Sequence, residues 1–212
     1  MKRREFSAGL LAAGTLGLAP AARGQRRLEN GKDYRTLGQR APVDAPAGKI
    51  EVVEFFWYSC PHCHAFEPAL EAWSRKLPAD VVLRRAPVAF RDDFVPQQRL
   101  FYTLEALGRM DLHAKVFQAI HVERQPTNRD DTVLAWAQKN GLDRAKFQEA
   151  YASFSVQSRA KRAAQLQDAY QVQGVPALGV AGRFYTDGEL AGNMNRALEV
   201  VDFLVAEARK SR

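Results

Sequence analysis

The chain has 212 residues, 46% apolar and 26% charged, a globular composition long enough for one good core and a smaller lobe. Its net charge of +7 comes from scattered basic residues such as Arg84, Arg85, Lys161, Arg162, Lys210 and Arg212, with no dense run and no interleaved aromatics, which argues against a nucleic-acid partner. Only two cysteines are present, Cys60 and Cys63, too few and too closely spaced to be a stabilising disulfide framework.

The first predicted element is a leader. Lys2, Arg3 and Arg4 precede an apolar or small run from Ser7 to Ala19, and Ala19-Pro20-Ala21 or Ala22-Arg23-Gly24 offers a small-x-small cleavage site. The run falls short of the ~20 residues that a membrane span needs, so residues 1–24 read as a secretory signal peptide and the product as soluble and exported. Arg3-Arg4 followed by Phe6 also resembles a twin-arginine signal, and the export route stays open. Removing the leader takes away four basic residues and one acidic one, leaving 27 against 23 and a net charge of +4.

After a polar lead, Ile50 to Trp57 reads as a largely buried strand, rich in β-branched and aromatic residues. A helix follows from about Pro61, with Phe66, Leu70, Trp73 and Leu77 on one face and Pro78 as its terminator. Val81 to Phe90 returns to strand composition, which completes a βαβ unit with parallel strands. From Pro96 to Tyr170 helices follow one another: Gln97–Leu107, Leu112–Val122, Asp130–Asn140, Asp143–Tyr151 and Ser155–Tyr170. Pro176–Val180 and Arg183–Tyr185, separated by Ala181-Gly182, read as a β-hairpin, and Asn193–Arg209 as a last amphipathic helix. The economical picture is an α/β domain over residues 25–90 and 164–212, interrupted by an inserted all-helical lobe over 91–163 that can roof the motif.

Cys60-Pro61-His62-Cys63 lies where the strand gives way to the helix. A cysteine there caps the helix, whose unpaired N–H groups and positive dipole end favour a thiolate, with the second thiol within attacking distance. Three chemistries compete. A structural zinc site would use His62 and His64, but it lacks a second cysteine pair, and His113 and His121 read more simply as surface or capping histidines, so no metal is expected. The string Cys60-Pro61-His62-Cys63-His64 also matches the C-x-x-C-H attachment pattern of c-type haem. Against haem, Pro61 takes a helix N1 position and His64 falls on the first turn of a βαβ unit. The third reading, thiol:disulfide exchange, needs no cofactor and uses both thiols as they stand.

Glu54-Phe55-Phe56, then Cys60-Pro61-His62-Cys63, and much later Gly174-Val175-Pro176, resemble the DsbA family of exported thioredoxin-fold oxidoreductases, over nearly the whole mature chain. The resemblance implies a thioredoxin-like fold with a helical insertion, Cys60 as the attacking and leaving thiol, Cys63 as the resolving thiol, and a redox-active Cys60–Cys63 disulfide. Pro61 and His62 are the family's residues between the cysteines, and His62 can stabilise the thiolate by hydrogen bond or charge. Glu54 is implied to be a buried acid behind the cysteines, paired with Arg85. Pro176 is implied to be cis and to face the disulfide, with Val175 offering backbone hydrogen bonds to an extended substrate. Phe56 and Phe66 read as core, while Trp57 fits either the core or a client surface. The function implied is a periplasmic disulfide donor to reduced cysteine-containing exported proteins, reoxidised by a DsbB-like membrane quinone reductase, acting as a monomer. A thiol reductase or isomerase on the same fold is the nearest alternative.

Overall fold

The computed structural model describes residues 27–210; the leader lies outside them. Five strands form one mixed sheet in the order β1 (Arg35–Thr36), β5 (Phe184–Asp187), β4 (Ala177–Val180), β2 (Ile50–Phe56) and β3 (Val81–Pro87). β2 (Ile50–Phe56) is buried along its whole length, which explains its near-continuous apolar run. α1 (Pro61–Ser74) leads from it to β3 (Val81–Pro87), which pairs parallel with β2 in a register that sets Glu54 opposite Arg85. β4 (Ala177–Val180) and β5 (Phe184–Asp187) form the expected antiparallel hairpin, with β4 antiparallel to β2. The turn places Ala181 and Gly182 at positive φ, and a Cβ on Gly182 would meet the Ala41 carbonyl oxygen at 2.4 Å, so the position requires glycine. A short strand absent from the sequence reading, β1 (Arg35–Thr36), pairs with β5 at the sheet's edge.

Between β3 and β4 the chain is helical: α2 (Val95–Ala106), α3 (His113–His121), α4 (Asp130–Lys139), α5 (Arg144–Ala152) and α6 (Phe154–Ala169). Asp143 and Ser153 start α5 and α6 by accepting the backbone N–H three residues on, which fixes those boundaries locally. A short helix, α7 (Gly188–Ala191), and the long α8 (Met194–Lys210) close the chain's described part. α6 packs on α2 and on β3 and so runs from the helical lobe to the sheet. One buried cluster joins Phe56 and Tyr58 to Phe117, Trp136 and Phe147 of the lobe and includes both cysteines, while α8 packs through Val201 and Leu204 on Val52 and Leu178.

Two predicted boundaries move by three residues or more. α1 ends at Ser74 rather than at Pro78, because the Arg75 and Lys76 N–H groups bond back to Glu71 and Trp73 in a closing turn; Leu77 leaves the helix yet still packs on its core. β3 stops at Pro87 rather than Phe90: the ladder of β2 ends at Phe56, whose carbonyl takes its last bond from Val88.

Candidate active site

Cys60 is the N-cap of α1. Its backbone is extended (φ −82°, ψ 116°), Pro61 takes the first helical position, and the Cys63 N–H donates to Cys60 Sγ at 3.4 Å. The chain can turn so sharply because the Cys60 N–H is held by the Trp57 carbonyl at 3.0 Å while its own carbonyl accepts the first helical bond from His64. Cys60 is 7% exposed and Cys63 fully buried, whereas Pro61 and His62 stand at the surface. Cys60 Sγ lies 3.4 Å from the Val175 carbonyl, a bond it donates only while protonated, beside the cis Val175–Pro176 bond. His62, Gly174, Val175 and Pro176 line an open cleft of about 370 Å³ with Gly188 and Met194 beyond them.

The two thiols are driven apart electrostatically. A hydrogen bond from the Cys63 side chain, followed by the Cys63 and His62 backbone N–H groups and the His62 charge, outweighs burial and lowers the Cys60 thiol from 9.0 to about 6. Burial, together with its bond to Cys60, pushes the Cys63 thiol far up. Cys60 is therefore the thiolate at neutral pH and Cys63 the proton-bearing partner.

Behind them lies a buried ionic group. Arg85 Nε sits 3.3 Å from Glu54 Oε2 but out of line for a hydrogen bond, and among the described residues neither Glu54 oxygen has a hydrogen-bond donor. Arg85 Nη2 donates instead to Glu71 Oε1 and pairs with Glu67 Oε1, each at 2.8 Å. Burial thus raises the Glu54 carboxyl to about 8 despite the arginine, with the charges of Glu67 and Glu71 adding to the rise. Glu67 is also raised by burial, but His113 and Arg85 outweigh this and hold it below the ordinary carboxylate value.

The sequence reading paired Arg85 with Glu54 alone. Glu67 carried a signal it did not use: it lies four residues after Cys63 and so on the same helical face. His113 is corrected from a surface or capping residue to a buried one, 4% exposed, with Nδ1 2.7 Å from the Tyr58 hydroxyl and Nε2 3.6 Å from Glu67 Oε1. His121 reaches the Tyr58 carbonyl at 2.8 Å, and its ring stacks on that of His64 at 4.8 Å, closing His64 against the lobe. Phe56 and Phe66 are core, as read; Trp57 is half-buried and stacked on Phe94 at 3.8 Å.

A βαβ unit whose helix begins with a polarised dithiol, beside a cis-proline that leads into the neighbouring strand, defines a thioredoxin-like protein built for thiol chemistry. Residues 86–199 match the family model of the DSBA-like thioredoxin domain. The chain belongs to the DsbA family. It is 47% identical over 208 residues to the thiol:disulfide interchange protein DsbA of Bordetella parapertussis, covering 98% of this chain and 97% of that one. Of solved structures, that of Pseudomonas aeruginosa DsbA is similar at 41% identity and a TM-score of 0.80, covering 85% of this chain and 94% of that one. Oxidoreductase DsbA from Xylella fastidiosa is similar at 30% identity and a TM-score of 0.79, covering 86% and 98%. Neither the haem reading of Cys60, Cys63 and His64 nor the reductase or isomerase alternative is favoured beside these relatives.

Proposed function

We propose that the protein is a disulfide donor. In its reaction a substrate thiolate attacks Cys60 Sγ, the Cys60–Cys63 bond breaks, and Cys63 leaves as a thiolate that takes up a proton. A second substrate thiol, losing its proton, then attacks the substrate sulfur of the mixed disulfide and expels the Cys60 thiolate. Two electrons pass to the enzyme and one disulfide forms in the substrate. The observation that carries this direction is the polarised pair itself: a Cys60 thiol lowered from 9.0 to about 6 stabilises the reduced enzyme at pH 7 by about 1.4 kcal/mol, or about 30 mV. Glu54, raised and able to hold a proton at neutral pH, supports a role in protonating the departing Cys63 thiolate.

Pro61 fixes the first helical turn and His62 contributes charge and a backbone N–H to the Cys60 thiolate. Val175, with its carbonyl on Cys60 Sγ, would pair with an extended substrate beside Pro176 by strand addition, a contact indifferent to substrate sequence. Clients of this kind are reduced exported proteins, and the leader at residues 1–24 supports a periplasmic location. No helix among the described residues is long and apolar enough to cross a membrane. Reoxidation then falls to a DsbB-like membrane quinone reductase, with the donor acting as a monomer. The division into a thioredoxin-like base (25–90, 164–212) and a helical lobe (91–163) is supported by the run of helices α2 to α6 between β3 and β4, with α6 continuing through the second limit.

The test is a titration of the mature protein in glutathione redox buffers, followed by tryptophan fluorescence. Family DsbA and thioredoxin provide reference potentials of about −120 mV and −270 mV. A value near the first supports a donor; one below about −230 mV points to a reductase, and no two-electron transition refutes both.

A further inference from the structure

The buried ionic group has a second arm that the thiol chemistry as described does not use. It runs from Arg85 through Glu67 to His113 on α3 and ends at Tyr58, whose ring is fully buried. One guanidinium faces three carboxylates here: Glu54 from β2, and Glu67 and Glu71 from α1. Glu71 is partly exposed and has Arg75 as a further partner at 3.9 Å. Glu54 and Glu67 are buried and compete for what remains, and two buried carboxylates on one shared cation favour a proton on one of them. Glu105 on α2 also acts on Tyr58, but it is paired with Arg159.

What separates the two carboxyls is their neighbours. Glu54 has only the misaligned Arg85 Nε, whereas Glu67 has the Nη2 of Arg85 and the ring of His113. The Tyr58 hydroxyl holds Nδ1 at 2.7 Å, and in the tautomer where the hydroxyl donates, the hydrogen sits on Nε2, the nitrogen turned to Glu67. Burial lowers the proton affinity of His113, so the ring stays neutral and faces Glu67 as a dipole rather than a cation. Glu54, in turn, is the carboxylate whose charge acts on the Cys63 thiol.

We propose that His113, oriented by Tyr58, is a positioning residue for the thiol exchange: its Nε2 edge, 3.6 Å from Glu67 Oε1 and so beyond hydrogen-bond distance, acts through space to keep that carboxyl ionised on Arg85 and leave the shared proton on Glu54. Without the imidazole, Glu67 competes for the proton and negative charge moves to Glu54, next to the dithiol. The reduced enzyme is then disfavoured, and Cys63 loses the acid that protonates it on leaving. This inference rests on the donor reading of the site.

The experiment is a double-mutant cycle on the mature reduced protein. Tyr58→Phe with His113→Phe removes both partners of the hydrogen bond at once, which avoids leaving a buried hydroxyl unpaired. The ultraviolet absorbance of the Cys60 thiolate against pH should move its midpoint up by about half a unit, and the equilibrium with glutathione should shift about threefold toward the oxidised enzyme. In a Glu67→Gln background the same pair of substitutions should change neither, because the competing carboxyl is gone. His113→Gln, which keeps an acceptor for Tyr58 and an N–H dipole toward Glu67, should restore the parent values. No change in the parent background, or an equal change with Glu67→Gln present, overturns the proposal. Carboxyl carbon-13 shifts of the parent need no variant: Glu54 protonated and Glu67 ionised at pH 7 is the required pattern, and the reverse overturns it. Failure of the donor reading is separately visible in the parent's own glutathione equilibrium.

Discussion

At the scale of single residues, two chemically identical thiols three positions apart behave differently because one caps a helix and the other lies inside it. The sign of the resulting pH dependence follows from Cys60 being lowered: above about pH 6 the reduced enzyme gains from an ionised Cys60, and below it that gain is lost as the thiolate protonates. The potential should therefore fall by about 30 mV per pH unit above the bend, where one proton accompanies two electrons, and by about 59 mV below it. Potentials measured in glutathione buffers from pH 5 to 8 would show the bend, and a straight line would refute a lowered Cys60. His62→Ala should raise the Cys60 midpoint and make the enzyme less oxidising, by about three- to tenfold in the glutathione equilibrium; an unchanged potential would remove His62 from thiolate stabilisation. Cys63→Ser should accumulate mixed disulfides on Cys60, visible on non-reducing gels, and Cys60→Ser should form none. Cys60, Cys63 and Glu54 were legible from their place at the end of an apolar strand. Tyr58 and His113 were not, since 55 positions separate them and no periodicity links a turn to a distant helix.

Among the elements, the strands and helices followed their patterns closely, because β2 is apolar throughout and the lobe helices carry local caps such as Asp143 and Ser153. Short elements escaped: β1 is two residues of ordinary polarity, held by pairing with Tyr185 and Phe184, and α7 is a single turn capped by Asp187. The hairpin has a packing demand that its sequence does not announce. A Cβ on Gly179 of β4 would lie 2.3 Å from Cε1 of Tyr170, a buried ring pinned by its hydroxyl to the Gly182 N–H at 3.0 Å. Gly179→Ala should cost about 1–3 kcal/mol through overpacking and lower the melting temperature by about 2–4 °C per kcal/mol. Calorimetry measures the loss; an unchanged melting temperature would mean that Tyr170 yields freely.

For the whole molecule, the aromatic core of the helices between β3 and β4 shares one buried cluster with Phe56, Tyr58 and both cysteines. Cell fractionation should place the protein in the periplasm with its leader removed near residue 24, and sedimentation should give a monomer; a cytoplasmic, full-length product would refute export. The sequence by itself determined the dithiol, the order of strands and helices, and the family, because strand and helix periods, caps and a C-x-x-C motif are local properties carried by neighbouring residues. Tertiary structure alone decided how one arginine is divided among Glu54, Glu67 and Glu71, and that a histidine of the lobe completes that group. The physical reason is that the proton affinity of a buried carboxyl depends on the solvent it has lost and the charges it faces, and both are set by which distant segments pack against it.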